Sequence, residues 1–344
     1  MLKIGIICPS EIAFRRFMPA LSKINDIKYA GVAIASKEEW FNTENISDEK
    51  YAPIKEAELK KAENFKNTYG GKIYTSYTNM LTSGEIDAVY LPLPPALHYR
   101  WAKTAIENNL HVFVEKPSAV SYEQTKDIVD SAKSKKLALH ENYMFIYHSQ
   151  LEKINEIVKS GEIGEVRLIR IDFGFPDRGK NDFRYIKSLG GGALLDCGGY
   201  TFKYANYLLD GEANLVCANA GYKEGYEVEI YGSATLTNSK GQTVQTSFGM
   251  DNDYRCSVDI WGSKGTLRSG RILTAPDGFE PEYEISKNGN VQKYKIQPDD
   301  AFYKSIMRFK NCIENEDCRL ENYDELLKQE KLVEDFARLS GLRG

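Results

Sequence analysis

Short apolar runs recur through the first part of the chain, each followed by a charged stretch with helical spacing. "KIGII", "IKYAGVAIAS", the short "GKIYTSY", "IDAVYLPL", "HVFVEK" and "LALHENYM" read as six strands. "AELKKAENFKNTY" and "YRWAKTAIENN" read as helices between them, and Ser121 with Gln124 forms a capping box for a helix through Ala132. Strands alternating with helices predict a doubly wound parallel sheet, a Rossmann-like α/β domain over residues 1–145. The stretch from Lys37 to Glu56 is polar and long for a strand-to-helix link. It reads as a surface excursion, or more sharply as a lid over a nucleotide.

The pattern changes near residue 148. "SQLEKINEIVKSG" is an amphipathic helix ending at Gly161. "VRLIRIDFGF", "ANLVCANAGY", "EVEIYGSATLT", "TVQTSFGM", "RCSVDIWGS" and "GTLRSGRI" follow, joined by turns such as "NSKGQ" and "KNGN". Hairpin-linked strands predict an α+β domain over residues 146–344 with a large, mostly antiparallel open sheet. Two helices close the chain, the last starting near Asn322 with Glu325 as its capping-box partner.

Composition narrows the function. The 344 residues are 42% hydrophobic and 27% charged, with a net charge of -4. No basic field exists to attract nucleic acid. The richest apolar stretch, "IDAVYLPLPPALHYRWA", is cut by three prolines and predicts no membrane helix. The first residues enter a strand without a secretory pattern, so a cytoplasmic protein is expected. The six cysteines form no C-x-x-C and only four histidines occur. Reduced thiols and no metal site are therefore expected.

Candidate chemistry begins at "IGIICPSEIA", residues 4–13, where a strand runs into a turn and a helix. A dinucleotide loop there wants G-x-G-x-x-G/A, for a tight turn, room for the pyrophosphate and close helix packing. The three positions hold Cys8, Ser10 and Ala13, with Ile12 beside them and Pro9 lacking an N–H. Ala13 permits close packing and Ser10 brings a hydroxyl that can donate to phosphate. The second strand ends "AIASKEE". Ser36 and Lys37 suit the 2′-phosphate of NADP, while Glu38 and Glu39 oppose it. The other reading is a solvated loop.

The stronger signal is "VFVEKPSAVS". Glu115-Lys116-Pro117 ends an apolar run, where doubly wound sheets bind ligands. A lysine there needs a task or a partner. With "VYLPLPPALHYRWAKTAIENNLHVFVEKP", the chain resembles the Gfo/Idh/MocA oxidoreductases, named for glucose–fructose oxidoreductase and inositol dehydrogenase. "DFRYIKSLGGGALLDCGGYTFKYANYLL" adds a triple glycine, Gly190 to Gly192. It also adds Asp196 and Tyr200, four residues apart and so on one helix face. The family carries D-x-G-x-[HY] here. The tyrosine form is similar to the sugar 3-ketoreductase, dihydrodiol dehydrogenase and glucose–fructose oxidoreductase branches. The glycine-poor opening loop is the chain's departure from the family.

The resemblance implies hydride exchange between a nicotinamide and a sugar-type carbonyl or secondary alcohol. It implies a cis Lys116-Pro117 bond that aims the lysine at the nicotinamide. Tyr200 is assigned as proton donor and Lys116 as the polarising cation that lowers its pKa from ~10. Asp196 positions a substrate hydroxyl or orients Lys116. Leu93, Pro94, His98 and Glu115 are expected along the cofactor, although His98 is equally a cap or packing residue. Asn181 and Arg184 face substrate or form a surface ion pair. In the crossover "HENYMFIYH", Glu141 and Tyr143 are placed in the cleft and Met144 and Phe145 in the core. NADP(H) is the expected cofactor and a nucleotide-linked sugar ketone the leading substrate. An NAD-dependent dehydrogenase of a free sugar, polyol or dihydrodiol is the close rival, and a non-catalytic dinucleotide-binding regulator the third reading. By analogy the chain pairs into a dimer or tetramer.

Overall fold

The computed structural model describes residues 1–40 and 46–342. The chain divides into two compact units: residues 1–142 with 305–327, and residues 143–304 with 328–344. Among the described residues, no helix is long and apolar enough to cross a membrane.

The first unit is the doubly wound parallel sheet. Its strands are β1 (Leu2–Ile7), β2 (Ile27–Ala33), β3 (Lys72–Tyr74), β4 (Ala88–Leu91), β5 (His111–Glu115) and β6 (Leu139–Asn142). They lie in the order β3-β2-β1-β4-β5-β6, all parallel. The order reverses between β1 and β4, and that switch point is where such sheets bind ligands at their C-terminal ends. The strands at the centre carry continuous apolar runs, residues 4–7, 88–91 and 112–114, because helices cover both faces. Ile4, Ile6, Val89, Tyr90, Val112 and Val114 are fully buried.

After β1 the chain enters a helical run, π-helical at Ala13–Phe17 and continuing as α1 (Met18–Leu21). The later helices are α2 (Asp48–Tyr69), α3 (Tyr77–Leu81), α4 (Pro95–Glu107) and α5 (Tyr122–Ser134). Ser121 caps α5 by accepting from Gln124 N. The Gln124 side chain reaches back to the Val120 N–H, one residue before the cap. The link expected over 37–56 is shorter than its composition suggested. Ser47 caps α2 and accepts from Lys50 N, so the helix starts at Asp48 with two acidic residues in its first turn. Residues 41–45, the middle of the expected excursion or lid, lie outside the described residues.

The second unit is built on an eight-stranded sheet. The strands are β7 (Val166–Gly174), β8 (Asn214–Tyr222), β9 (Glu229–Thr237), β10 (Thr243–Gly249), β11 (Arg255–Gly262), β12 (Thr266–Gly270), β13 (Glu282–Lys287) and β14 (Asn290–Lys295). Their order is β14-β13-β12-β11-β7-β10-β9-β8. Every neighbouring pair is antiparallel except β7 with β10. In β11, Cys256, Val258 and Ile260 point into the core, while Arg255 and Trp261 point to solvent. That two-residue period marks a sheet covered on one face only. The cover is α6 (Ser149–Ser160), α7 (Gly199–Leu208) and the last turns of α9, through Leu151, Ile154, Phe202, Leu208, Val333 and Phe336. The "KNGN" turn closes the β13–β14 hairpin with Asn288 and Gly289 both at positive φ.

The chain's end departs from expectation in two ways. The last helix, α9 (Glu316–Leu339), starts six residues before Asn322. Asn322 is not a cap but a buried mid-helix residue that donates to the Leu139 carbonyl. Residues 305–327, from α8 (Ala301–Glu314) and α9, also belong to the first unit and not to the second domain. The reason is polar. Tyr323 Oη donates to the Leu137 carbonyl, and His140 sits between Ser305 Oγ (2.9 Å) and Asn322 Oδ1 (3.2 Å). Strand β6 is an edge strand, and these side chains satisfy groups that no further strand covers. Tyr323→Phe should leave the buried Leu137 carbonyl unpaired at constant packing. The expected cost is about 1–3 kcal/mol, read from urea unfolding.

Candidate active site

The first unit keeps the shape of a nucleotide turn without its glycines. Cys8 adopts φ 73°, the left-handed conformation that the first glycine normally supplies. Its N–H donates to Ala33 O at 2.9 Å, and Ser10 N donates to Cys8 O at 2.8 Å. Ser10 Oγ accepts from Ala13 N at 3.3 Å, so the hydroxyl caps the following helix and keeps its own proton for a ligand. Ala13 is fully buried, which meets the third requirement of the motif, and Ile12 is exposed at the helix start. The Cys8 side chain packs inward beside Tyr77 and Glu58. Burial and then Glu58 push its thiol up to about 12, so it is a neutral filler. The turn thus keeps the left-handed backbone of a dinucleotide loop, with a half-buried Cys8 in the first glycine's place, and suits a pyrophosphate.

At the end of β2, Ser36 Oγ donates to Glu38 Oε2 at 2.8 Å and Lys37 Nζ pairs with Asp48 Oδ1 at 2.6 Å. Two donors suited to a phosphate thus hold exposed carboxylates. Glu39 does not oppose an anion here. It is buried and turned away from the surface.

Between β4 and β5 the structure corrects one expectation. His98 is 0% exposed and does not line a pocket. Its Nδ1 lies 2.7 Å from Pro117 O and its Nε2 2.7 Å from Leu93 O. A neutral imidazole donates through one of these nitrogens only. The ring joins the segment after β4, with Leu93 and Pro94, to the cis Lys116-Pro117 bond after β5. Pro94 itself precedes Pro95 at the first position of α4. Next to Lys116, Glu115 Oε1 accepts from Tyr90 Oη at 2.6 Å and from Asn142 Nδ2 at 2.7 Å. Burial pushes the Glu115 carboxyl up, against those hydrogen bonds and the Lys116 charge. Glu141, expected in a cleft, is buried and accepts from Ser118 N at 2.7 Å. Its work is to hold the backbone just beyond Pro117.

In the second unit the triple glycine folds back on the Arg184 backbone. Gly192 N donates to Arg184 O at 2.9 Å, and a Cβ on Gly191 would lie 2.5 Å from that same oxygen. Gly190 and Gly192 also take positive φ. Larger residues cannot occupy this turn. Its product is an ion pair: Arg184 Nε donates to Asp196 Oδ2 at 2.8 Å, and Nη1 reaches Asp182 Oδ1 at 3.1 Å. The Arg184 and Asp196 side chains are only 22% and 12% exposed. Asp196 therefore already has a cationic partner within its own unit. Asn181 is exposed just before this cluster.

Asp196 lies in a π-helical segment, Leu194–Gly198, that runs into α7. The wider turn shifts the simple four-residue alignment of Asp196 with Tyr200. Such segments often mark functional sites. The Tyr200 ring is held by Tyr143 (5.2 Å between centroids), Phe145 (5.4 Å) and Phe173 (5.3 Å). Tyr143 is 1% exposed, so it is a wall of this aromatic box and not a cleft-lining residue. Phe145 is buried, as expected.

One residue escaped the sequence reading. Glu229, at the start of β9, accepts from Leu194 N at 2.9 Å, and a Cβ on Gly192 would meet its carboxylate at 2.5 Å. A carboxylate inside an alternating strand run is the only trace it leaves in sequence. Among the described residues, no three His, Cys, Asp or Glu side chains are placed to hold a metal.

His98 makes the site acid-sensitive. Burial lowers its pKa from 6.5 to about 4. The unfolded chain takes up the proton near pH 6.5 and the folded chain does not until about pH 4. The stability is thus complete above 6.5 and declines as pH falls toward 4, by about 1.4 kcal/mol per pH unit from this group. Urea midpoints across that window should show the decline, and His98→Gln should flatten it.

Comparison with known proteins agrees with this geometry. Residues 29–143 match the model of an oxidoreductase family with an NAD-binding Rossmann fold. Residues 151–268 match the GFO/IDH/MocA C-terminal domain. A dTDP-3,4-didehydro-2,6-dideoxy-alpha-D-glucose 3-reductase of Actinomadura kijaniata is 30% identical over 97% of this chain and 94% of its own. The enzyme of the same name from Saccharopolyspora spinosa is 31% identical over 90% of this chain and 86% of its own. The crystal structure of KijD10, a 3-ketoreductase from Actinomadura kijaniata in complex with NADP and TDP-benzene, superposes with a TM-score of 0.87. It is 30% identical and covers 98% of this chain and 97% of its own. The unbroken match across both units, with the Glu-Lys-Pro strand end and the triple-glycine turn in place, makes this chain a member of the Gfo/Idh/MocA family of oxidoreductases.

Proposed function

We propose that the protein is an NADP(H)-dependent ketoreductase acting on a keto group of a nucleotide-linked sugar. The observation that carries this is similarity along almost the whole chain to dTDP-sugar 3-reductases, with Lys116, Asp196 and Tyr200 all present. The cofactor would be held by the Cys8–Ala13 turn, by Ser36 and Lys37, and by the segments around Leu93, Pro94, Glu115 and Lys116. When bound, NADPH supplies the hydride to the carbonyl carbon.

The protein's own groups handle the oxygen. Negative charge grows there as the carbonyl is reduced, so a cation and a proton donor are required. Lys116 is the cation. Its backbone is fixed on one side by the Glu115 hydrogen bonds and on the other by His98 and the Pro117 carbonyl. Tyr200 Oη is the proton donor, and its aromatic box leaves the ring little freedom to turn. Arg184 holds Asp196 in place, and Asp196 orients a neighbouring substrate hydroxyl. Asn181 and Arg184 serve the substrate side.

One observation favours a second reading, an NAD-dependent dehydrogenase of a free sugar, polyol or dihydrodiol. The carboxylates of Glu38 and Asp48 stand beside Ser36 and Lys37, and a carboxylate at this strand end suits a ribose 2′-hydroxyl. A third reading, a dinucleotide-binding regulator without catalysis, loses ground to the intact Lys116 and Tyr200. Homo-oligomerisation, as dimer or tetramer, is part of the proposal. It rests on the solvent face of the second sheet, where Tyr231 and Trp261 are 47% and 57% exposed. A cytoplasmic setting is in keeping with the free cysteines.

Fluorescence titration should show NADPH binding tighter than NADH, and turnover should require a keto-sugar linked to a nucleoside diphosphate. Tighter NADH binding would move the assignment to the dehydrogenase. Lys116→Ala and Tyr200→Phe should each lower kcat by at least about a hundredfold. NADPH affinity should stay within a few-fold of the parent. Full turnover in both variants would remove these residues from the mechanism.

A further inference from the structure

The end of β2 raises a difficulty that the cofactor assignment leaves open. "SKEE" sets two glutamates directly after the proposed phosphate ligands. Two negative charges beside a dianion should cost binding. The structure treats the two glutamates differently.

Glu38 is exposed, and it accepts from Ser36 Oγ. An exposed contact of this kind is cheap to give up. Glu39 is 5% exposed and its two oxygens receive five donors. Oε1 accepts from Ser76 Oγ (2.9 Å), Thr78 N (2.9 Å) and Thr78 Oγ1 (2.7 Å). Oε2 accepts from Tyr77 N (2.8 Å) and Ser36 N (2.8 Å). Burial alone would raise its pKa, yet these donors hold it below the ordinary carboxylate range. Its charge is spent on neighbouring N–H and O–H groups.

The Ser36 contact closes a ring. Ser36 O accepts from Glu39 N (3.2 Å) and Trp40 N (3.1 Å), while Ser36 N donates back to the Glu39 carboxylate. Both backbone groups of Ser36 are thus occupied by its own turn. The turn in turn is fastened to the start of α3 through Ser76, Tyr77 and Thr78. What remains adjustable is the Ser36 hydroxyl and the Lys37 side chain. These two donors now hold the Glu38 and Asp48 carboxylates. A 2′-phosphate would exchange with those carboxylates at a backbone that is already in position.

We propose that Glu39 is a positioning residue of the 2′-phosphate subsite. Its buried carboxylate fixes the Ser36–Lys37 backbone, so discrimination between NADPH and NADH depends on a residue that touches neither cofactor. The proposal rests on the NADP(H) reading given above. It assigns opposite effects to adjacent glutamates. Glu39 supports phosphate binding from beneath, and Glu38 competes with the phosphate for Ser36 Oγ.

The test is a pair of fluorescence titrations, NADPH and NADH, on the full-length protein and its variants, with circular dichroism and thermal melting on each. Glu39→Gln turns an amide N–H₂ toward groups that are themselves donors. The ratio of NADH to NADPH dissociation constants should fall by about tenfold. NADH affinity should move less than about threefold. Should that variant not fold, Ser76→Ala and Thr78→Val each remove a hydroxyl donor from Glu39 without touching the Ser36 turn. Each should shift the ratio the same way by about threefold. Glu38→Gln should raise the ratio. A generally loosened domain would weaken both cofactors together. A folded Glu39→Gln, or a folded Ser76→Ala with Thr78→Val, that keeps the parent ratio overturns the proposal and leaves the NADP(H) reading intact. A parent protein with no preference for NADPH overturns both, and is recognised before any variant is made.

Discussion

The geometry of the first unit's binding end depends on one buried imidazole. His98 comes from α4, directly after β4, and its ring spans the carbonyls of Leu93 and Pro117. Adjacent parallel strands are tied along their length by ladder hydrogen bonds, but the ladder ends where the loops begin. Beyond that point nothing in the sheet itself fixes one loop against the next. His98 supplies the missing tie at the place where the Lys116-Pro117 bond turns. Without it, the lysine would leave the strand end on an unsupported loop. Glu141 adds a second tie one residue further, at Ser118.

The second unit solves a similar problem with charge and close packing. The triple glycine lets two stretches of backbone approach nearer than any side chain permits. Arg184 is thereby set against Asp196, and each neutralises the other in a place with little water. Glu229 approaches from β9 and takes the N–H of Leu194, a donor that a helix start would otherwise leave open. Tyr200 then emerges from a helix that is fastened at its beginning and boxed by aromatic rings. The recurring device in both units is a buried polar side chain that fixes nearby backbone, as His98 and Glu229 do, so that a neighbouring side chain is held in place.

Much of this was legible in sequence because it rests on periodicity and on residues with few alternatives. The six parallel strands follow from apolar runs bounded by charged helices, and the second sheet from alternation of the kind seen in β11. Glu115-Lys116-Pro117 and Gly190 to Gly192 stand out because a lysine at a buried strand end and three adjacent glycines each need a reason. Other features were hidden, for physical causes. His98 read equally well as lining or as packing, and Glu141 and Tyr143 read as cleft residues, because burial of a polar side chain is set by distant partners. Glu39 read as a liability, since sequence reports its charge and not the five donors that surround it. Asn322 looked like a cap because asparagine favours caps. Its true partner, the Leu139 carbonyl, lies 183 residues earlier.

That last separation bears on how the protein is made. The dinucleotide unit is not a continuous stretch of chain, since residues 305–327 complete it after the second unit has been traversed. During synthesis the edge strand β6 and the polar groups of His140 and Asn142 emerge early, while Ser305, Asn322 and Tyr323 are still untranslated. Domains usually fold in order as they leave the ribosome. Here the first to appear is the last to be finished, with an unpaired strand edge exposed for most of translation. The first 142 residues are therefore a poor unit for expression, grafting or swapping among relatives. Exchange of cofactor modules within this architecture has to carry the distant helical segment along with it.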